Sequence, residues 1–427
     1  MIQTIKDFMI IKKNNKSVIS WILYDCANSV FYTTVMAGFF PLFFKKYWST
    51  GVSESLSTQR LGWILAISGF ILAVISPVLG VISDKKAYKK ILLFSFMILG
   101  VTSTFILGFV PEGDWFLAAL IYGFALFCCT ASTVFYDSLL VAVAEPSDYD
   151  MVSSLGYAYG YLAGGILFAV NVLMYLKPEL FGIQSAITAV LFSFMTVAVW
   201  WFLFSIPLLI NVKEPRSNLS ESHLIALITE SFLQIKLTAA KIIKNKNLLF
   251  FLISYWFYID GVSTVMAMAV DFGVSIHLDS GALIKALLLT QFVGFPSAYL
   301  AGKCAGQFGS KSIIMTSIVI YIFVVIGASM MTKELHFYIM ATFIGLAQGS
   351  IQALSRSMFA QLIPIDHAGE YFGFFNLLGK FASVLGPLLI AVSAAFFNDS
   401  KKSILSLLVL FVLGLYFLLR VKNIKNN

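Results

Sequence analysis

Three aspartates lie inside apolar segments of the chain. Asp25, Asp137 and Asp260 each occur in a hydrophobic run long enough to cross a bilayer as a helix, for which about 20 residues are needed. A charged side chain near the middle of a membrane helix costs about 2.5–3.5 kcal/mol, so such residues usually line a polar cavity. Their positions predict an internal site that acts on a solute passing through the protein.

Two of these aspartates belong to polar stripes, because residues three and four apart share one face of a helix. The stripes consist of Asp25, Asn28, Ser29 and Tyr32 in the first segment, and of Asp260, Ser263, Thr264 and Asp271 in the later one. Polar groups that face lipid would lack hydrogen-bond partners, so both stripes should face inward. The carboxylates either bind substrate or a proton, or they hydrogen-bond a neighbouring helix or a helix break.

Asp137 and Arg356 occupy equivalent places in two halves of the sequence and carry opposite charges. A pair across the cavity would offset the cost of burying both groups. It would act as a gate if it breaks during the transport cycle, and as a structural lock if it stays closed.

Lys380 could hold a carboxylate of the substrate or of Asp260, or it could extend its ammonium group to the membrane surface. Asn376 shares its helix face, and Gln352 lies one turn before Arg356. The candidate substrate or proton site therefore comprises Asp25, Asn28, Ser29, Asp137, Asp260, Ser263, Thr264, Gln352, Arg356, Asn376 and Lys380.

The composition places these residues in a membrane protein. Of the 427 residues, 59% are hydrophobic and 12% are charged, against about 25% charged in soluble domains. Most Lys and Arg residues fall in the loops of one side, which predicts that both termini are cytoplasmic and accounts for the net charge of +8 without nucleic acid. Twelve segments could span the membrane, near residues 18–43, 60–82, 91–110, 115–143, 153–176, 185–210, 247–275, 283–302, 312–331, 335–361, 370–396 and 403–421.

The longest polar interruption separates six spans from six. It predicts an N-terminal bundle over 1–211, a cytoplasmic linker with an amphipathic helix over 212–246, and a C-terminal bundle over 247–427. The halves repeat three landmarks in the same order, namely DCANSV with DGVSTV, the loop 80–89 with the loop 302–311, and the dipeptide DS with RS. Such a repeat is typical of transporters that rock two bundles around a central site.

The loop GVISDKKAYKK resembles the signature loop of the major facilitator superfamily. The segments WILYDCANSVFYTTVMAGFFPLFF, FYIDGVSTV and GLAQGSIQALSRSMFAQLIP resemble the vacuole-effluxer branch, which contains fungal autophagy-related amino-acid effluxers and bacterial relatives. The resemblance covers essentially the whole chain and implies an all-α membrane protein with twelve transmembrane helices in two pseudo-symmetric bundles. It also implies export of neutral amino acids and a cytoplasmic gating loop formed by Gly80, Asp84, Lys85 and Lys89.

The chain contains no GxxxxGK[ST] loop and no His cluster with metal-ligand spacing. We therefore expect a secondary transporter with no cofactor, rather than an enzyme. The expected partners are a small polar substrate such as an amino acid, a coupling proton or ion, and membrane lipid, for a monomer in a bacterial inner membrane. The alternatives are an exporter of drugs or lipophilic compounds, and a non-transporting receptor or scaffold on a transporter fold.

Overall fold

The computed structural model describes residues 15–52, 54–86, 88–214, 224–275, 280–381, 385–397 and 400–422, and in these ranges every regular element is a helix. The long helices before the linker are α1 Asn15–Val30, α2 Glu54–Lys86, α3 Lys89–Leu107, α4 Trp115–Ser138, α5 Tyr149–Leu176 and α6 Ala186–Asn211. We call these the N-terminal half. The first predicted span is longer than expected, because π-helical turns at Phe31–Phe39 and Phe44–Trp48 continue α1 to Trp48.

The linker contains helix α7, Leu224–Lys244. The longer helices after it, which we call the C-terminal half, are α8 Lys246–Ser275, α9 Ser280–Phe308, α10 Ser310–Ser329, α11 Glu334–Leu362, α12 Ala368–Phe381, α13 Leu385–Phe397 and α14 Leu408–Arg420. Within the described residues, eleven helical stretches are long and apolar enough to cross a membrane. The remaining predicted span, 370–396, is the pair α12 and α13 on either side of residues 382–384, which lie outside the described ranges.

Glycines on α5 allow α1 to pack closely against it. Gly156, Gly160 and Gly164 recur every four residues, and a Cβ atom at these positions would meet the side chains of Asp25, Ser29 and Thr33 respectively. The four-residue spacing on one helix therefore matches the four-residue spacing on the other. This contact turns the polar stripe of α1 toward the interior, as the sequence predicts.

The two halves also meet through glycines at the end of the bundle that carries the linker, which we call the linker end. A Cβ on Gly80 of α2 would overlap the carbonyl oxygen of Gly369 and lie 3.2 Å from the Cα of Glu370 on α12. Farther along, a Cβ on Gly373 would lie 2.9 Å from the Ser76 carbonyl oxygen. Backbone therefore packs directly on backbone between α2 and α12.

Replacing Gly80 with Ala should destabilise this arrangement by about 1–3 kcal/mol, because the added methyl group meets a rigid backbone carbonyl. Thermal unfolding of the purified protein in detergent should show a lower midpoint. Gly69 on the same helix is the matched control, because a Cβ there would have no atom within 4 Å. Equal unfolding midpoints for Gly80→Ala and Gly69→Ala would show that the close contact does not form.

Candidate functional site

Arg356 of α11 joins the two halves through a buried ionic cluster. Its side chain is 2% exposed. Nη2 donates a hydrogen bond to Asp25 Oδ2 at 3.0 Å, and Nη1 donates to Asp137 Oδ1 at 3.1 Å. Nε donates to Ser153 Oγ at 2.9 Å, and Nη2 also donates to the Ser153 carbonyl oxygen at 3.0 Å. Four hydrogen bonds therefore run from one C-terminal side chain to three N-terminal residues.

Aromatic rings enclose the same guanidinium group. The Arg356 Cζ atom lies 4.6 Å from the ring centroid of Trp21, 4.3 Å from that of Tyr157 and 5.4 Å from that of Tyr136. Trp21 is stacked on Tyr136 with centroids 4.5 Å apart, and its Nε1 donates to the Tyr136 carbonyl oxygen at 3.0 Å. Ring faces attract cations electrostatically, most strongly where water is excluded.

The predicted pair between Asp137 and Arg356 is thus present, and Asp25 shares the same arginine. Two carboxylates facing one guanidinium group leave one surplus negative charge in a buried place when both are ionised. Opening the structure between α11 and the N-terminal half would separate the guanidinium group from both carboxylates. The cluster has the position of a gate, because its partners lie on opposite halves.

Of the next residues of the α1 stripe, Asn28 is buried and Ser29 is half-buried. Asn28 is 3% exposed, and Ser29 packs against Gly160, where a Cβ would lie 2.5 Å from its Oγ. Both residues are on the interior side of α1, one turn from Asp25, which contacts Arg356.

Asp260 is placed differently from Asp25, although the two are equivalent in the repeat. Its Oδ2 accepts from the backbone N–H of Leu385 at 3.1 Å, and its Oδ1 accepts from that of Gly386 at 3.0 Å. Thr264 Oγ1 donates to Oδ1 at 3.3 Å. The carboxylate therefore accepts from two backbone N–H groups in the first described turn of α13. Of the two readings left open by the sequence, the contacts made here are hydrogen bonds to a neighbouring helix.

The remaining site candidates are less tightly grouped. Gln352 Oε1 accepts from Tyr161 Oη of α5 at 2.8 Å, which is a second link between the halves. Asn376 Nδ2 donates to the Phe372 carbonyl oxygen at 3.0 Å, and its side chain also approaches Asp137. Ser263 is half-buried and lies one turn from Asp260 on α8. The side chain of Lys380 lies outside the described part of the structure.

Asp84 forms a further contact between the halves, at the linker end. Its two carboxylate oxygens accept from the backbone N–H groups of Gly369 at 3.0 Å and Glu370 at 2.7 Å, in the first turn of α12. Lys89 Nζ lies 2.7 Å from Asp84 Oδ1. Negative charge is favourable at a helix N-terminus. Of the four predicted gating-loop residues, only Lys85 has a side chain outside the described part.

Asp150 also accepts from donors of the C-terminal half, and the sequence reasoning missed it. This residue lies in the first turn of α5, and its Oδ2 accepts from Ser310 Oγ at 2.7 Å, in the loop equivalent to that of Asp84. Its Oδ1 accepts from Ser357 Oγ at 2.5 Å and from Gln361 Nε2 at 3.3 Å. The loop 302–311 has Gly306 in place of the acid. The helix that it contacts, α5, provides a carboxylate instead.

The linker holds both sides of the Asp84 contact. Before the linker helix, Glu214 accepts from the backbone N–H groups of Lys89 at 2.6 Å and Lys90 at 3.2 Å. Burial raises the pKa of the Glu214 carboxyl, and these two hydrogen bonds oppose that shift. On α7, Thr238 Oγ1 donates to Glu370, one of the residues that Asp84 caps.

Sequence reasoning also missed the residues that surround Arg356. In the sequence alone, nothing distinguishes Ser153, Trp21 and Tyr157 from ordinary core or interface residues. The available signal was spacing: Ser153 and Tyr157 lie one turn apart on α5 and flank Gly156, whose missing side chain leaves space for Asp25.

Comparison with known proteins identifies relatives over nearly the whole chain. The family model described as vacuole effluxer Atg22 like matches residues 63–426. The MFS-type transporter YxiO of Bacillus subtilis is 39% identical over 409 residues, which is 95% of either chain. Autophagy-related protein 22 of Eremothecium gossypii is 23% identical over 444 residues, covering 90% of this chain and 86% of that protein.

Among solved structures, the proton:xylose symporter XylE of the major facilitator superfamily superposes with a TM-score of 0.68. The match covers 96% of this chain and 95% of the symporter at 15% sequence identity. It shows that the fold is that of the superfamily, in agreement with the predicted two-bundle architecture.

The ionic cluster predicts a specific energetic coupling. Arg356→Gln should destabilise the protein by about 3–5 kcal/mol, because it leaves two buried carboxylates without their cation. Asp137→Asn should cost less, because Asp25 still faces the guanidinium group. Chemical denaturation of both single variants and the double variant measures the coupling, which should be at least about 0.5 kcal/mol. Additive effects would show that the pair contributes no mutual stabilisation.

The contact of Asp260 with α13 predicts a graded response to substitution. Asp260→Ala should cost about 1–3 kcal/mol, because the backbone donors of Leu385 and Gly386 lose their acceptors. Asp260→Asn keeps one acceptor oxygen and should cost less in the same thermal unfolding measurement. Ser263→Ala, one turn away and half-buried, is the control. If the Ala and Asn variants unfold at the same temperature, the carboxylate does not stabilise α13 through these hydrogen bonds.

Proposed function

The chain belongs to the Atg22-like vacuole effluxer family of major facilitator transporters, and from this premise we propose that it exports small polar metabolites, with amino acids as the main class. Transport proceeds by alternating access and is coupled to a proton or another ion. The linker end faces the cytoplasm of a bacterium, and the chain acts as a monomer in the inner membrane. Membrane lipid surrounds the bundle.

The observation that carries this proposal is the position of the Arg356 cluster. All of its hydrogen-bond acceptors are on the N-terminal half, while the guanidinium group is on the C-terminal half. The contacts of Asp84 and Asp150 cross between the halves at the same end of the bundle. A rocking motion that opens this end must break all three, so together they hold the linker end closed.

Coupling follows from the charges of the same cluster. When the halves separate, Asp25 and Asp137 lose the cation that offsets their burial, and a proton or a cation that enters with water can replace it. A cycle in which this replacement is released on the opposite side couples ion movement to the gate. The membrane potential supplies about 2.3 kcal/mol per charge and 100 mV, which is enough to drive a substantial gradient.

A polar substrate fits the interior better than a lipophilic one does. The faces between the halves carry carboxylates, a guanidinium group, amides and hydroxyls, including Gln352 and Asn376. A drug exporter remains the alternative transport function, favoured by the many aromatic side chains. A receptor on the same fold would keep its activity when the gate is immobile.

Purified protein in liposomes should accumulate or release amino acids faster than empty liposomes under an imposed pH gradient. Asp25→Asn should reduce this gradient-driven flux at least tenfold, because the residue then cannot carry charge at the gate. Asp366→Asn, which changes an exposed aspartate, is the matched control and should transport normally. Movement of no amino acid above the empty-liposome rate, with lipophilic cations transported instead, would support the alternative.

A further inference from the structure

The environment of the Arg356 guanidinium group resembles a binding site more than a single ion pair. Two carboxylates, one hydroxyl and one backbone carbonyl accept its N–H groups, and three aromatic rings cover its faces. The residues that do so are Trp21, Asp25, Tyr136, Asp137, Ser153 and Tyr157. We call this set the cation cage. Every member is on α1, α4 or α5 of the N-terminal half.

The cage is held together by contacts that do not involve Arg356. Trp21 Nε1 donates a hydrogen bond to the Tyr136 carbonyl oxygen, and the Trp21 ring stacks on the Tyr136 ring. Tyr24 packs on the same Tyr136 ring with centroids 4.9 Å apart. Ser153 Oγ donates to the Ala353 carbonyl oxygen at 2.7 Å, and Asn376 approaches Asp137, so these two cage residues also contact the other half. The wall formed by Trp21 and Tyr136 should therefore keep its position after α11 moves away, with Asp25 and Asp137 on the same two helices.

A vacated cage would have a clear chemical preference. Its two carboxylates leave an uncompensated negative charge, so it disfavours neutral and anionic solutes. Planar guanidinium groups match carboxylates in a forked geometry and stack on ring faces, and primary ammonium groups share the charge and the hydrogen-bond donors. Gly156 completes the fit, because any larger residue would overlap Asp25 and approach Arg356 Nη2 to 3.1 Å.

We infer that the cation cage is a substrate subsite for guanidinium- or amine-bearing metabolites, which Arg356 occupies while the linker end is closed. This inference rests on the proposed transport function, since an external cation can enter only when the halves separate. A cationic substrate and Arg356 then exclude each other, and replacement of one by the other opens or closes the gate. The site thereby favours basic amino acids and their decarboxylated amines over neutral amino acids.

Removal of the native occupant tests the cage directly. In Arg356→Ala, millimolar guanidinium chloride or agmatine should raise the unfolding temperature by a few degrees, because a ligand that binds only the folded state stabilises it. Urea, which has the same planar shape without the charge, should have no such effect at the same concentration. Wild-type protein should show little response, because Arg356 already fills the site.

Adding Asp25→Asn and Asp137→Asn to Arg356→Ala should abolish the response to guanidinium. Equal responses to guanidinium and urea, or a response that survives the loss of both carboxylates, would overturn the cage. If Arg356→Ala does not survive extraction, Asp84→Asn provides the second variant, because it weakens the closed linker end without touching the cage. Labelled agmatine should then bind more tightly than to wild type, and equal binding would contradict the inference.

Transport measurements separate this inference from the proposed function. Liposomes that move leucine but not arginine or agmatine, with no rescue of Arg356→Ala by guanidinium, would remove the cage and leave the transport function intact. Rescue by guanidinium without transport of any amino acid would retain the cage and remove the proposed transport function. Transport of arginine that is competitively inhibited by agmatine supports both.

Discussion

The structure depends on where a buried arginine finds its partners. An unpaired guanidinium group in an apolar interior is costly, and Arg356 avoids this cost only by contact with the opposite half of the protein. The stability of one end of the bundle is therefore tied to the contact between two bodies that share few other charged groups in the described interior. An ordinary salt bridge within one bundle would stabilise the fold but would not link it to movement.

Around this cluster, the linker end is stabilised by carboxylates that bind backbone N–H groups at helix N-termini. Asp84 accepts from the first turn of α12, and Glu214 accepts from the first residues of α3. Backbone donors at helix ends lack partners in the helix, and a carboxylate satisfies two of them with a favourable charge. Because the Asp84 and Glu214 sites share Lys89, the linker and the inter-half contact form one connected network.

The repeat in the sequence does not extend to the contacts of its residues. Asp25 and Asp260 stand at equivalent positions, yet Asp25 binds an arginine and Asp260 binds backbone N–H groups of α13. The loop 302–311 lacks the acid found in the loop 80–89, and Asp150 of α5 provides a carboxylate at that contact instead. This divergence is expected because the two halves contact each other, and such a contact needs complementary groups rather than identical ones.

Much of the architecture could be predicted from the amino-acid sequence. The lengths of the hydrophobic runs predicted the spans, and the polar interruption located the linker helix. Opposite charges at equivalent positions of the repeat predicted the pairing of Asp137 with Arg356. These features follow from local composition and periodicity, since the bilayer and the helix impose the same rules wherever they occur.

The tertiary structure decided which polar groups share partners. The sequence grouped Asp25 with Asp260 and separated both from Arg356, whereas the fold brings Asp25 to the arginine and turns Asp260 to Leu385 and Gly386. It also assembled the rings of Trp21, Tyr136 and Tyr157, which come from three helices and have no common spacing. A hydrogen bond depends on distances of a few ångströms between helices far apart in the chain, and only the packing of the two halves determines those distances.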